Sequence, residues 1–290
     1  MATAISTGDN ATPRRGKIAD FVRRNPTIVV GGTLMSLIAL AALFAPLIAG
    51  DPLSFQPINR LKGPSAEFLL GTDSLGRDVF ARMVYGARIS LLVGLSVAAI
   101  SIVAGLFVGL TAGYFPRLDT FVMRLMDGIM AIPAILLAIA LVSLMGASVR
   151  VVIIAISIPE IPRVTRLVRS VVLSVRELPY VDAARSNGTR AFKILRRHIL
   201  PSTIPPLIVQ ATYVSASAIL TEAGLSFLGA GTPPEFPTWG NMIAQSRLYL
   251  SIAPWTIFAP GICLALVVLA VNLLGDGLRD HLDPRLARRM

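Results

Sequence analysis

Two histidines and one cysteine are all that this 290-residue sequence offers as nucleophile, metal ligand or base near neutral pH. His198 and His281 stand far apart, Cys263 lies inside an apolar run, and no paired carboxylates fall at ligand spacing beside them. Neither catalysis nor a metal site is expected, and a single cysteine permits no internal disulfide. The sequence also lacks a GxxxxGK[ST] loop, so a nucleotide would find no phosphate cradle in this chain. What remains is electrostatic. Asp127, Glu160 and Glu222 lie in or at the edge of apolar stretches, where a lone charge is costly and faces a cavity or a partner. Asp127 has Arg124 beside it and reads as an ion pair or a headgroup contact. Glu160 can pair with Arg163 one turn on, or line a pathway. Glu222 leaves two roles open: structural, or a cavity-facing carboxylate that attracts the amino terminus of a solute. Tyr213, Ser215 and Ser217 add polarity nearby, but their i, i+2, i+4 spacing lets only two share a helix face. Tyr213 with Ser217 is the pair that could face a cavity, the alternative being hydrogen bonds between helices.

Two further stretches are charged. Asp73, Arg77, Asp78 and Arg82 are spaced as two i,i+4 pairs, which predicts a surface helix that could also meet a partner protein. Trp239, within TPPEFPTWGNM, suits a loop anchored at a membrane interface, or a gate or docking element. The basic stretch YVDAARSNGTRAFKILRRHILP, residues 180–201, carries its own punctuation. Pro179 suits a first helical turn and Gly188 the position just past a helix end. The helix between them has about two turns, too short to stand alone. Ala183 and Ala184 allow close approach, Tyr180 and Val181 offer apolar contact, and Asp182 complements the helix N-terminus. Thr189 can cap a second helix over 190–199 that ends near Pro201. Such a hairpin could lie on anionic headgroups or dock on a protein, and composition does not separate the two.

The elements that hold these residues follow from hydropathy. Hydrophobic residues make up 54 % of the chain and charged residues 15 %, and mean hydropathy is +0.71. A soluble domain carries about 25 % charged residues. The net charge of +11 sits between apolar runs instead of forming a patch, which argues against nucleic acid. Charge-free windows over 25–50, 89–116, 128–149, 199–221 and 248–275 each meet the roughly 20 residues needed to cross a bilayer. The first apolar run, 27–50, exceeds the roughly 7–15 residues of a signal-peptide core and reads as an uncleaved span. Segment 151–172 turns charged after Pro159, so charge bookkeeping decides its role. With six spans and both ends cytoplasmic, 20 of the 27 Lys and Arg residues fall inside, as the positive-inside rule requires. Without a span at 151–172 the basic block over 163–197 would lie outside.

The punctuation of 180–201 resembles the EAA loop of ABC-importer permeases, the cytoplasmic signature of spanning subunits that meet an ATPase. Asp182-Ala183-Ala184 stands for E-A-A, followed by Gly188 and the pair Leu200-Pro201. Asp182 replaces the usual Glu, and His198 stands where isoleucine is often found. LLGTDSLGRDVFARMVYGARISL (69–91), MRLMDGIMAIPAILLAIAL (123–141), AGLSFLGAGTPPEFPTWGNM (223–242) and NLLGDGLRDHLDPRL (272–286) resemble the second permease of dipeptide/oligopeptide/nickel importers.

The resemblance implies an all-α membrane protein of type I importer fold in a bacterial inner membrane. It implies a second homologous permease, two nucleotide-binding subunits that hold ATP and Mg, an extracytoplasmic binding protein and surrounding lipid. Tyr180, Val181, Asp182, Ala183, Ala184, Arg185, Gly188, Leu200 and Pro201 would couple to the ATPase. Tyr213, Ser217, Glu222 and Glu160 would line the path, and Asp73, Arg77, Asp78 and Trp239 would meet the binding protein. The expected layout is a tail at 1–26, a first span at 27–50, an outer segment at 51–88, a core at 89–278 and a tail at 279–290. Within the core, a coupling loop covers about 173–201 and an outer loop about 229–250. Peptides are the expected cargo; nickel or a metal chelate, opines, glutathione or oligosaccharides are alternatives. A secondary transporter would instead predict inverted repeats, and none is visible.

Overall fold

The computed structural model describes Val22 and residues 25–282, so most of both expected tails lies outside the described residues. Those residues fold almost entirely into helices. Helix α1 spans Pro26–Leu43 and is followed by a short turn, Ala45–Ile48. Helix α2, Val79–Tyr114, is 36 residues long, about 54 Å at 1.5 Å per residue. It begins ten residues ahead of the apolar window at 89 because Asp78 caps it, accepting the Phe80 amide at 2.9 Å.

The expected single span at 128–149 is instead two helices, α3 (Pro116–Met130) and α4 (Ala134–Met145), bent by 83°. Pro133 stands at the bend. It has no N–H to continue the helix and disfavours helical backbone at Ile132. Helix α5, Val149–Val175, is capped by Ser148 and runs unbroken through Pro159 and Pro162. Helix α6 is the short Pro179–Ser186.

Beyond it, the helix expected to end near Pro201 does not end. One turn at Ala191–Ile194 passes through a π-helical turn, Leu195–Ile199, directly into α7, Leu200–Phe227. The Leu200 amide reaches back five residues to the Leu195 carbonyl. Pro201 has no N–H to contribute, so a wider turn just before it lets the helix absorb the proline. Helix α8, Trp239–Ser246, lies inside the expected outer loop, and α9, Trp255–Leu282, is the last helix among the described residues.

Helices α1, α2, α9 and the run Ala191–Phe227 are long and apolar enough to cross a membrane, and α3 with α4 makes a fifth crossing if the bent pair is one span. Helix α5 carries too much charge in its second half to stand with these. Its place comes from packing. Ser101, Gly105, Gly109 and Gly113 recur every four residues on α2, facing the fully buried Val164, Val168 and Val172 of α5. A Cβ on Gly105, Gly109 or Gly113 would sit 2.5–2.7 Å from the Cβ of the facing valine. Only glycine lets the two backbones approach this closely. The numbers rise together along both helices, so α2 and α5 run parallel, and α3–α4 must bring the chain back between them. The same reasoning makes α1 and α9 antiparallel, since Gly31 meets Ala270 and Leu274 while Gly277 meets Ile28.

Candidate functional site

The short helix α6 is held by one face. Val181 is fully buried in the main core and Ala184 packs against the same cluster. Tyr180, Asp182 and Ala183 point the other way and are exposed. The i, i+3 spacing of Val181 and Ala184 puts them on one stripe, so the sequence itself divides the helix into an anchored side and a free side. Its end is built by Gly188. That residue takes φ = 71°, the Gly188 amide bonds the Arg185 carbonyl, and the Thr189 amide bonds the Ala184 carbonyl. These two bonds form a Schellman cap, satisfying carbonyls that the helix would otherwise leave open. Thr189 therefore serves the end of α6, and Arg190 takes the capping position ahead of the next turn. Leu200 and Pro201 open α7, and the His198 ring lies 6.0 Å from that of Tyr180.

Glu160 and Ser217, on α5 and α7, come together. Ser217 Oγ donates to Glu160 Oε1 at 3.3 Å, and Arg163 Nη1 donates to the same oxygen at 2.9 Å. Glu160 is buried, and its second carboxylate oxygen has no hydrogen-bond partner. Tyr213, one turn from Ser217, is exposed. Tyr213 and Ser217 thus share one face of α7, and Glu160 meets that face from α5 at Ser217.

Glu222 does not belong to it. It is fully buried at the end of α7, where Oε1 accepts hydroxyls from Ser226 (2.8 Å), Thr238 (2.9 Å) and Thr232 (3.3 Å). The Asn241 side chain bonds Thr232 and the carbonyls of Pro233 and Phe236. The carboxylate thus clasps the loop between α7 and α8.

The outer cluster differs from the spacing-based expectation. Asp73 does pair with Arg77, at 2.7 Å, but in the turn before α2 and not in a surface helix. Arg82 turns to Asp73 at 3.3 Å instead of to Asp78, which is occupied as the α2 cap. Gln245 of α8 accepts from both arginines, at 2.7 and 3.4 Å. Asp73, Arg77 and Arg82 are all buried, so they brace the outer segment against α8 and offer no free face. Burial pushes the Asp78 carboxyl above its ordinary range, although the Phe80 and Ala81 amides pull it back. Trp239 is likewise buried, its indole donating to the Met83 carbonyl at 3.0 Å. It anchors α8 to α2 and not to a membrane interface. Asp127, expected beside Arg124, pairs instead with Arg166 of α5. Sequence reasoning missed Asp119, which takes Arg169 Nη2 at 2.6 Å, and it missed the glycine seam. The four-residue recurrence of small residues was the available signal.

Residues 101–288 match the family described as the binding-protein-dependent transport system inner membrane component. The chain belongs to that family. Its relatives include a probable peptide ABC transporter permease protein of Sinorhizobium fredii, 61 % identical over 272 residues and covering 94 % of each chain. The dipeptide transport system permease protein DppC of Alkalihalophilus pseudofirmus is 45 % identical, over 91 % of this chain and 88 % of that one. The glutathione transport system permease protein GsiD of Pectobacterium atrosepticum is 41 % identical, over 95 % and 92 %. A chain of the MetNI methionine ABC transporter, solved in an inward-facing conformation, superposes with a TM-score of 0.58 at 19 % identity. That match covers 70 % of this chain and 96 % of the other, and it establishes the fold. This is therefore an ABC-importer permease: a multi-pass inner-membrane transport subunit and not an enzyme. Membership implies ATPase and binding-protein partners.

Proposed function

We propose that this permease carries peptides, forms half of a translocation path with a second homologous permease, and is driven by separate ATPase subunits through α6. The relatives named for peptides and dipeptides support the cargo. The relative named for glutathione, itself a peptide-like solute, keeps that cargo as a second reading. In this reading the chain crosses six times with both ends in the cytoplasm. The parallel α2–α5 pair supports it, because a chain returned by α3–α4 must cross again in α5 to lie alongside α2 in the same direction. The antiparallel α1–α9 pair supports placing both ends on one side. Glu160, Ser217 and Tyr213 form the path-facing group, and Glu222 acts as a clasp on the outer loop.

One observation carries the coupling assignment. Helix α6 is too short to be stable alone, yet it is anchored by Val181 and Ala184 while Tyr180, Asp182 and Ala183 stay uncovered. A helix built this way presents a face to another protein. The test is Ala183→Trp in the full complex, reconstituted in liposomes with its ATPase subunits, binding protein and a dipeptide. Loss of solute-stimulated ATP hydrolysis and of uptake is expected, because an indole cannot enter a contact shaped for a methyl group. Wild-type stimulation and uptake in that variant would overturn the assignment.

A further inference from the structure

The anchored side of α6 meets one particular place in the fold, the cytoplasmic end of α2 in the proposed topology. The Arg185 guanidinium lies over the Tyr114 ring, 5.7 Å from its centroid. Tyr114 is the last residue of α2, partly packed into the main core and in edge contact with Phe115 at 5.1 Å. Arg176, between α5 and α6, donates Nη1 to the Gly113 carbonyl at 2.9 Å. Gly113 is the final glycine of the α2–α5 seam. The end of α2, the end of α5 and the inner face of α6 are thus fastened at one point. The link from α6 to α7 is of another kind. It runs through the loop after Gly188, the tilted Tyr180–His198 ring contact and the apolar cluster that Val181 shares with Ile194, and it reaches α7 only through the π-helical turn Leu195–Ile199.

From this asymmetry we infer that Arg185 and Tyr114 form a latch that delivers displacement of α6 into the α2–α5 pair. This rests on the reading of α6 as the coupling helix and adds where its motion goes. The physical reason is stiffness. Backbones in direct contact along the seam cannot slide without steric overlap or separate without losing their packing, so α2 and α5 respond as one body. A π-helical turn opens a helix and is a common place for it to flex. A push on the exposed face of α6 is therefore carried by the stacked Arg185–Tyr114 contact and the Arg176–Gly113 bond, while α7 follows through the softer connection. Arg185 and Tyr114 are positioning residues; neither touches solute. The contact needs a ring face and a planar cation, not the tyrosine hydroxyl.

The test compares uptake per ATP hydrolysed in the reconstituted complex, with dipeptide and binding protein, across a set of variants. Tyr114→Ala and Arg185→Gln are each expected to lower that ratio about two- to fivefold, the scale of one lost cation–π contact. Tyr114→Phe should stay near wild type, because the ring face survives. The double variant Tyr114→Ala with Arg185→Gln should be no worse than Tyr114→Ala, since both break the same contact. An unchanged ratio in Arg185→Gln, or a double variant equal to the product of the singles, overturns the latch. Because Arg185 is on the surface of the loop, its variant keeps the test valid even if Tyr114→Ala fails to assemble. If Ala183→Trp uncouples while Arg185→Gln does not, the coupling reading stands and the latch alone falls. If neither has any effect, the coupling reading falls with it.

Discussion

Gly109 is the centre of the α2–α5 seam, and its replacement by alanine has a consequence that can be worked from distances. A Cβ there would lie 2.7 Å from Val168 Cβ, 2.8 Å from the Thr165 carbonyl oxygen and 2.9 Å from Val168 Cγ1. Carbon atoms in van der Waals contact sit about 3.5–4.0 Å apart, so the helices must separate by about 1 Å. One obstacle is backbone, which no rotamer change removes. Overpacking of this kind costs about 1–3 kcal/mol. Alanine returns up to about 1 kcal/mol through helix propensity, so the net loss is up to about 2 kcal/mol. Gly128 provides the control, being a helical glycine of α3 with nothing within 4 Å of an added Cβ. Gly128→Ala should be neutral or stabilising by up to about 1 kcal/mol, from propensity alone. The assay is unfolding of each purified variant in mixed micelles, followed by loss of helical signal. Gly109→Ala with Val168→Ala should cost less than the sum of the two single changes, a partial recovery, because Val168→Ala removes Cγ1, one of the three close atoms. Equal shifts for Gly109→Ala and Gly128→Ala, or no recovery in the double variant, would refute the close-contact argument.

Three other outcomes are expected. Asp73→Asn leaves Arg77 and Arg82 buried without a counter-charge and should destabilise the outer segment by about 3–5 kcal/mol; an unchanged melting temperature would contradict the buried triad. Glu222→Ala strips the acceptor from three hydroxyls, at about 1–3 kcal/mol for each left unpaired; protease cleavage within 229–238 should rise, and equal protection in variant and wild type counts against the clasp. The third concerns pH. Because burial raises the Asp78 carboxyl in the folded chain, its contribution is present below the unfolded pKa and lost as pH rises through the folded one. Stability should therefore fall as pH rises from the ordinary aspartate range upward and stay lower above it, and Asp78→Asn should remove that step; a melting temperature tracking pH identically in both proteins would sink the argument.

Much of the architecture was written along the chain because the forces that set it are local or one-dimensional. A charge-free run long enough for the bilayer must cross it, wherever its neighbours lie, and α1, α2, α7 and α9 follow from that alone. Helix α6 was equally legible, since Pro179 and Gly188 act on their own backbone. The α3–α4 bend was missed although Pro133 marks it, because hydropathy averages over a helix and does not register its direction. The π-helical turn before Pro201 was missed for the opposite reason: a proline that usually ends a helix was accommodated.

Side-chain partnerships were not legible where the partner is remote. Spacing paired Asp78 with Arg82, but Arg82 found Asp73 and Gln245, the latter 163 residues on. Asp127 passed over Arg124 for Arg166 on another helix. Glu222 stayed open between a structural and a cavity-facing role because two of its three hydroxyl donors arrive only when the following loop folds back. By itself the sequence determined the membrane class, the crossings by apolar helices and the short capped helix with its small, exposed face. Only the tertiary structure decided which charges became struts, which glycines became a seam and where α6 is fastened. A buried charge takes whichever partner the packing supplies, and a glycine matters only against the backbone it meets.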